Sequence, residues 1–170
     1  FNFWLDRRML TDYERQFGDA MRIFHYEADV WESLAPVPWP SSPGVIQSGT
    51  SWKTEPLLKS WSQADDIRLP DPEDENIYTN LYRDKKRFPE TSILFNMPGV
   101  WTLLDNIRSF ENLFLDIYDQ PTELKRLLTR YSDVMAAITR RACQIGIDVF
   151  YLQDDISSTN GLLMSPQLLQ

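Results

Sequence analysis

The chain of 170 residues contains one cysteine, one histidine and six glycines. Each scarcity excludes something. Cys143 alone cannot form an internal disulfide, which fits a reducing cytosol, the expected location. His25 and Cys143 are too few to complete a zinc site by themselves. The glycines form neither a phosphate-cradling loop nor the elbow that presents a nucleophilic serine. No apolar run approaches the ~20 residues that span a bilayer, and no basic-then-apolar secretion signal opens the chain. Positive charge is also scarce: 17 Lys and Arg stand against 25 Asp and Glu, for a net charge of −8. A chain this acidic repels polyanions, so neither nucleic acid nor an anionic membrane is an expected partner.

Apolar residues make up 42% and aromatics 13% of the chain, a globular composition with enough length for one domain and a sizeable core. "FNFWL" (1–5) reads as a first strand. Thr11 and Glu14 form a capping box for the helix that follows. "DVWESL" (29–34) reads as a second strand. The stretch around 35–56 is rich in proline at first and then alternates loosely around Gly49, which predicts an irregular flap carrying an extended or hairpin segment. Trp31, Trp39, Trp52 and Trp61 flank it. In "LPDPEDENIYTNLYRDKKRFPE", Asp71 and Pro72 are expected to open a helix. Glu73, Asp74 and Glu75 load its positive end, and Lys85, Lys86 and Arg87 its negative end. "SILFNM" (92–97) predicts a third buried strand, and Ser109 is expected to cap a short helix.

Pro121 opens the longest element. Leu124, Leu127, Leu128, Tyr131, Val134, Met135, Ile138, Ala142 and Ile145 form one apolar stripe at helical spacing, and Gly146 ends it. Cys143, on this helix, is expected to be inert core. "IDVFYLQ" (147–153) predicts a fourth buried strand. Strands that alternate with helices indicate an α/β fold with a parallel sheet covered on both sides. Both chain ends read as cut, which predicts a piece of a longer protein.

In such folds functional groups gather where strands finish. That rule selects Asp6 and Arg7 after the first strand, Glu32 near the end of the second, Asn96 and then Trp101 after the third, and Gln153, Asp154 and Asp155 after the fourth. Asp154, Asp155 and Glu32 are the catalytic candidates. Asp6, Arg7, Asn96, Trp101 and Gln153 are the substrate-binding ones. Adjacent aspartates on an extended backbone point opposite ways. One is therefore expected to face the pocket, as an orienting group or proton donor, while the other braces a loop. An equally open reading has one carboxylate capping the turn "SSTNG" and the other in solvent. No metal ligands are assigned.

Three segments resemble the uroporphyrinogen decarboxylase superfamily. "DDISSTNGLLMSPQLL" is similar to its "DD-x-G-x-x-x-GLL-x-SPE" segment, "ILFNMPGVWTLLD" to its "G-x-x-G-x-PFTL" strand and turn, and "ENLFLDIYDQPTELKRLL" to its "E-x-x-x-x-DLYD-x-PE-x-x-x-x-LL" helices. The resemblance implies a (β/α)8 barrel with the site at the strand C-termini. Residues 1–170 would be the N-terminal portion of that one domain, with about half the parallel strands. It also implies one of two chemistries. The first is cofactor-independent decarboxylation of a porphyrinogen or related carboxylate. Those relatives carry "RQAGRY" after the first strand and "FSDIL" after the second, whereas this chain has "LDRRMLTDY" and Asp29 or Glu32. The second is methyl transfer to a thiol or corrinoid. There a zinc held by His-x-Cys and a later Cys activates the thiol, and the resemblance places those ligands outside this chain. The acidic strand ends favour methyl transfer, with a small molecule or corrinoid protein as partner and Arg7 as the anion-binding residue. A non-catalytic fragment that acts by association is the third reading. Open sheet edges predict a homo-oligomer.

Overall fold

The computed structural model describes residues 30–47, 50–53, 55–159 and 161–168. The expected first strand and helix, with Asp6, Arg7, Thr11, Glu14, His25 and Asp29, lie outside the described residues.

Three parallel strands form the central sheet: β1 (Val30–Leu34), β4 (Ser92–Pro98) and β5 (Val149–Gln153), in the spatial order β1-β4-β5. Between β1 and β4, the prolines of 35–43 keep the chain irregular, as expected. An antiparallel hairpin follows, of β2 (Gly44–Gln47) and β3 (Thr50–Lys53). Four α-helices complete the described fold: α1 (Thr79–Arg87), α2 (Val100–Arg108), α3 (Phe110–Asp119) and α4 (Pro121–Ile145). A last small hairpin, β6 (Ser157–Ser158) and β7 (Gly161–Leu162), lies beyond β5.

The long helix forms as its signals require. Pro121 occupies its first turn, and Gly146 ends it at φ 105°, a conformation that a side chain would strain. Leu124, Leu127, Tyr131, Met135, Ile138 and Ala142 are buried, which is the predicted stripe. Lys85 of α1 donates to the Gly146 carbonyl, placing a cation at the negative end of the α4 dipole.

Several expectations are corrected. The segment after Asp71 does not enter a helix at Pro72. Asp71 accepts from the Glu73 amide in a turn, Asp74 caps a 3-10 turn (Glu75–Tyr78), and α1 begins only at Thr79. Two successive Asx caps compete with the helix for the same backbone donors. Ser109 precedes α3 as expected but gives it no side-chain cap; its backbone is at φ 74°, ψ 150°. Cys143 is exposed, because Ala142 takes the inward position on that turn.

The sheet itself departs from two-sided coverage. Side chains alternate across a strand. On β4, Ile93, Phe95 and Met97 are buried among the helices, while Leu94, Asn96 and Pro98 are half-buried on the other face. Strand β5 is apolar, yet every residue in it is exposed, including Phe150 at 37% and Leu152 at 46%. It is an edge strand with neither face covered, which corrects the expectation that 147–153 is buried.

Aromatic and ionic contacts bind the irregular segments to this frame. Trp39 of the proline-rich stretch stacks on Tyr131 of α4, ring centroids 5.7 Å apart. Trp31 of β1 packs on Phe88 at 4.4 Å. The Ser42 amide donates to the Asn106 carbonyl at 2.7 Å, and Ser42 Oγ accepts from the Leu57 amide. Asp116, buried in α3, accepts from Arg108 Nε at 2.6 Å and from the Trp61 indole at 2.9 Å. Arg108 Nη2 also donates to Asp116, and Nη1 donates to the carbonyls of Leu58 and Lys59. Trp61, Arg108 and Asp116 thus clamp the 58–61 segment to the α2–α3 corner.

Candidate functional site

Two groups of the expected residues meet at the carboxyl ends of the strands. The first lies on the open face of the sheet. Glu32 pairs in register with Leu94, and Asn96 with Tyr151, so these side chains share the face turned away from the helices. Asn96 Nδ2 donates to Glu32 Oε1 at 2.5 Å. The carboxamide and the carboxylate therefore act as one polar unit on a surface that also holds Leu34, Leu94, Val149 and Tyr151. Gln153 is exposed at the end of β5, paired in register with Pro98 on this same face.

The second group forms around the start of α2. Asp154 lies at its first turn. Its Oδ2 accepts from the Trp101 amide at 3.1 Å, and its Oδ1 accepts from the Thr102 amide and from Thr102 Oγ1, both at 2.8 Å. Helix α2 has no cap from its own preceding residue, Gly99. The carboxylate is thus supplied from the end of β5. It meets orphan N–H groups and the positive end of the helix dipole together. Gly99 makes room for it: a Cβ there would lie 2.2 Å from Asp154 Cγ, so only glycine admits the carboxylate without a shift. The Gly99 amide donates to the Gln153 carbonyl at 2.6 Å, closing the same corner through the backbone.

Asp155 takes a different place. It is exposed, its amide is 3.4 Å from Thr102 Oγ1, and it lines a cavity of about 270 Å³. Trp101, Thr102 and Asp105 of α2 form one wall, and Phe110 of α3 a second. Ser157 and Leu163, from the terminal hairpin region, form the third. Phe114 holds both aromatic walls edge-on, with ring centroids 5.3 Å from Trp101 and 4.8 Å from Phe110. Among the described residues no lysine or arginine contributes to the lining.

The structure thus joins Glu32 to Asn96, and Trp101 to both aspartates. Asp6 and Arg7 lie outside the described residues. Asp105, Phe110, Ser157 and Leu163 were not anticipated. The signal for Asp105 was present: once "GVWTLLD" is read as a helix, Trp101 and Asp105 are four residues apart and share a face. Phe110, Ser157 and Leu163 carry no such local signal.

The pKa values perturbed by burial lie elsewhere. Desolvation lifts the Tyr78 hydroxyl to about 12, and that hydroxyl donates to the Pro72 carbonyl at 2.7 Å. Burial also raises Tyr131. Among the described residues no group of three or more His, Cys, Asp or Glu side chains is placed to hold a metal ion. Among them, too, no helix is long and apolar enough to cross a membrane.

No curated protein matches the chain. The family model for uroporphyrinogen decarboxylase (URO-D) matches residues 46–169, which cover β3, all four helices, β4, β5 and the acidic corner at Asp154 and Asp155. With most of its length matched in this way, the chain belongs to the uroporphyrinogen decarboxylase family.

Proposed function

We propose that the protein is an enzyme built on a (β/α)8 barrel and that its reaction is methyl transfer to a thiol or corrinoid. The barrel reading is supported by the sheet. Its parallel strands follow one another in space in their order along the chain, and their core packs on one face only. The exposed β5 edge then adjoins a further strand, and the Glu32–Asn96 face turns toward the barrel axis. The observation that carries methyl transfer is the character of the rim. Among the described residues, the cavity beside the strand ends is lined by two aspartates and by no lysine or arginine. A substrate bearing several carboxylates would meet like charge there, at a cost of several kcal/mol for close pairs.

In this reading Asp155 binds the substrate at the cleft and accepts the proton that a thiol gives up as it takes the methyl group. Trp101 and Phe110 exclude water from the reacting atoms. Asp154 positions Trp101 by capping α2. Glu32 orients Asn96 as a hydrogen-bonding group on the open face. A corrinoid would supply or accept the methyl group. The described residues do not furnish a zinc site, and no step here passes through one.

Decarboxylation is the second reading, favoured by the family itself. One experiment separates the two. The purified protein is offered uroporphyrinogen in one arm, and a methylated corrinoid with a thiol in the other. Thioether formation without coproporphyrinogen is the expected result; coproporphyrinogen without thioether overturns it. The exposed β5 edge also leads us to expect self-association in the isolated chain. Light scattering should give a mass above the 20.0 kDa of one chain, and a clean monomer would defeat that expectation.

A further inference from the structure

We propose that the first turn of α3 is a gate on the cleft, with Ser109 as its hinge. The structure holds the gate closed, with Phe110 on the cavity wall. A turn of Ser109 into an ordinary backbone conformation swings Phe110 off that wall and opens the cleft to its ligand. The proposal rests on the reading of this cleft as the substrate site, and it names how that site is entered.

Four observations meet at this joint. The first is strain. Ser109 sits at φ 74°, ψ 150°, and among the described residues it is the only one other than glycine with a positive φ. That region belongs essentially to glycine, so a serine placed there is biased toward leaving it. The second is position. Ser109 alone separates α2, which ends at Arg108, from α3, which begins at Phe110. A change in its two backbone angles therefore redirects Phe110 relative to Trp101, Thr102 and Asp105, the wall that α2 supplies. The third is loose attachment. Phe110 is 42% exposed and lies outside the buried core, and its ring packs on Phe114, four residues further along the same helix. Helix α3 has no side-chain cap, so little holds its first turn wound. Beyond that turn the helix is fixed. Leu113 is fully buried, and Asp116 is held by Arg108 and Trp61. The movement is thus confined to residues 109–112. The fourth is a clasp. Asn112 Nδ2 donates to the Arg108 carbonyl at 3.2 Å and to Ser109 Oγ at 3.1 Å, tying α3 back over the joint. These two bonds hold the strained arrangement shut, and opening must break them.

The test puts 4-fluorophenylalanine in place of Phe110, and in a separate sample in place of Phe88, and follows fluorine NMR exchange in the full chain. Phe88 is buried and packs on Trp31 of β1, so it reports on the fold rather than the joint. The label at position 110 should show a minor state. Ser109→Gly should cut its population about two- to fivefold, because glycine keeps the closed arrangement without strain. Asn112→Ala should raise it at least about twofold by removing the clasp. Neither variant should move the signal at position 88. A single signal without exchange at position 110, in wild type and in Asn112→Ala alike, overturns the proposal. So does a minor state indifferent to Ser109→Gly, or equal changes at position 88, which would mark general loosening. Exchange governed by Ser109 without thioether formation in the turnover assay would keep the gate and remove methyl transfer. Thioether formation with an immobile Phe110 would do the reverse.

Discussion

Two regions of this molecule place carboxylates beside tryptophan and helix α2, and they use them in opposite ways. At the α2–α3 corner, Asp116 is 3% exposed and each of its oxygens accepts a hydrogen bond, from Arg108 and from Trp61. At the strand ends, Asp155 is exposed beside Trp101 and lines a cavity. Asp154 joins the first region in character although it is the sequence neighbour of the second. A carboxylate whose acceptor sites are filled by the protein holds structure together, and one whose sites face a cavity is available to a ligand. Mutation should separate the two kinds.

The largest effect is expected at the clamp. Asp116→Ala leaves the Arg108 guanidinium, 13% exposed, without its counter-charge. The loss should be about 3–5 kcal/mol in denaturant unfolding, and a change under 1 kcal/mol would show the clamp to be decorative. Alkaline titration probes the buried polar groups next. Tyr78 is raised to about 12 and Tyr131 is raised as well, both mainly by burial. A group whose folded pKa lies above its unfolded value contributes stability that is complete below the unfolded value. That contribution is lost as pH rises through the folded one. Stability should therefore hold to about pH 10 and then fall by about 2 kcal/mol toward pH 12, with Tyr78→Phe flattening the decline. Asp154→Ala comes third. It orphans the amides of Trp101 and Thr102 and should cost about 1–2 kcal/mol. Ser109→Gly should act in the other direction. At φ 74°, ψ 150° the serine occupies backbone space natural to glycine, and relief of that strain should add about 0.5–1 kcal/mol. The smallest stability effect belongs to Asp155→Asn, within about 0.5 kcal/mol of wild type, although ligand binding should change most there. If Asp154 and Asp155 proved equal in both stability and binding, the contrast between the two regions would collapse.

Much of the frame was legible along the chain. The stripe from Leu124 to Ala142, the Pro121 start and the Gly146 stop are local signals, and all three stand in the structure. The strands at 30–34 and 92–98 and the irregular prolines were readable for the same reason. The start of α1 was missed because Asp71 and Asp74 are equally good caps, and local chemistry does not rank them. Strand β5 was read as buried because its composition is apolar. Burial depends on what packs against a strand, and its own residues cannot report that.

The candidate site was legible in part. Strand-end logic found Glu32, Asn96, Trp101 and the two aspartates, because in a parallel sheet those ends all lie at one edge. It could not assign the aspartates their separate tasks. The amide partners of Asp154 are 52 and 53 residues away, and Asn96 lies 64 residues from Glu32. No local pattern encodes such a meeting.

The sequence by itself determined the long helix, the strands at 30–34 and 92–98, the acidity of the chain and its family, since each follows from neighbouring residues or from motifs read in order. Tertiary structure alone decided that Asp154 would cap α2 through the gap left by Gly99, that Asp155 would face a cavity walled by Trp101 and Phe110, and that β5 would lie bare. Those outcomes depend on contacts between residues far apart in the chain. They arise only when packing brings a helix start, a strand end and a hairpin to the same corner.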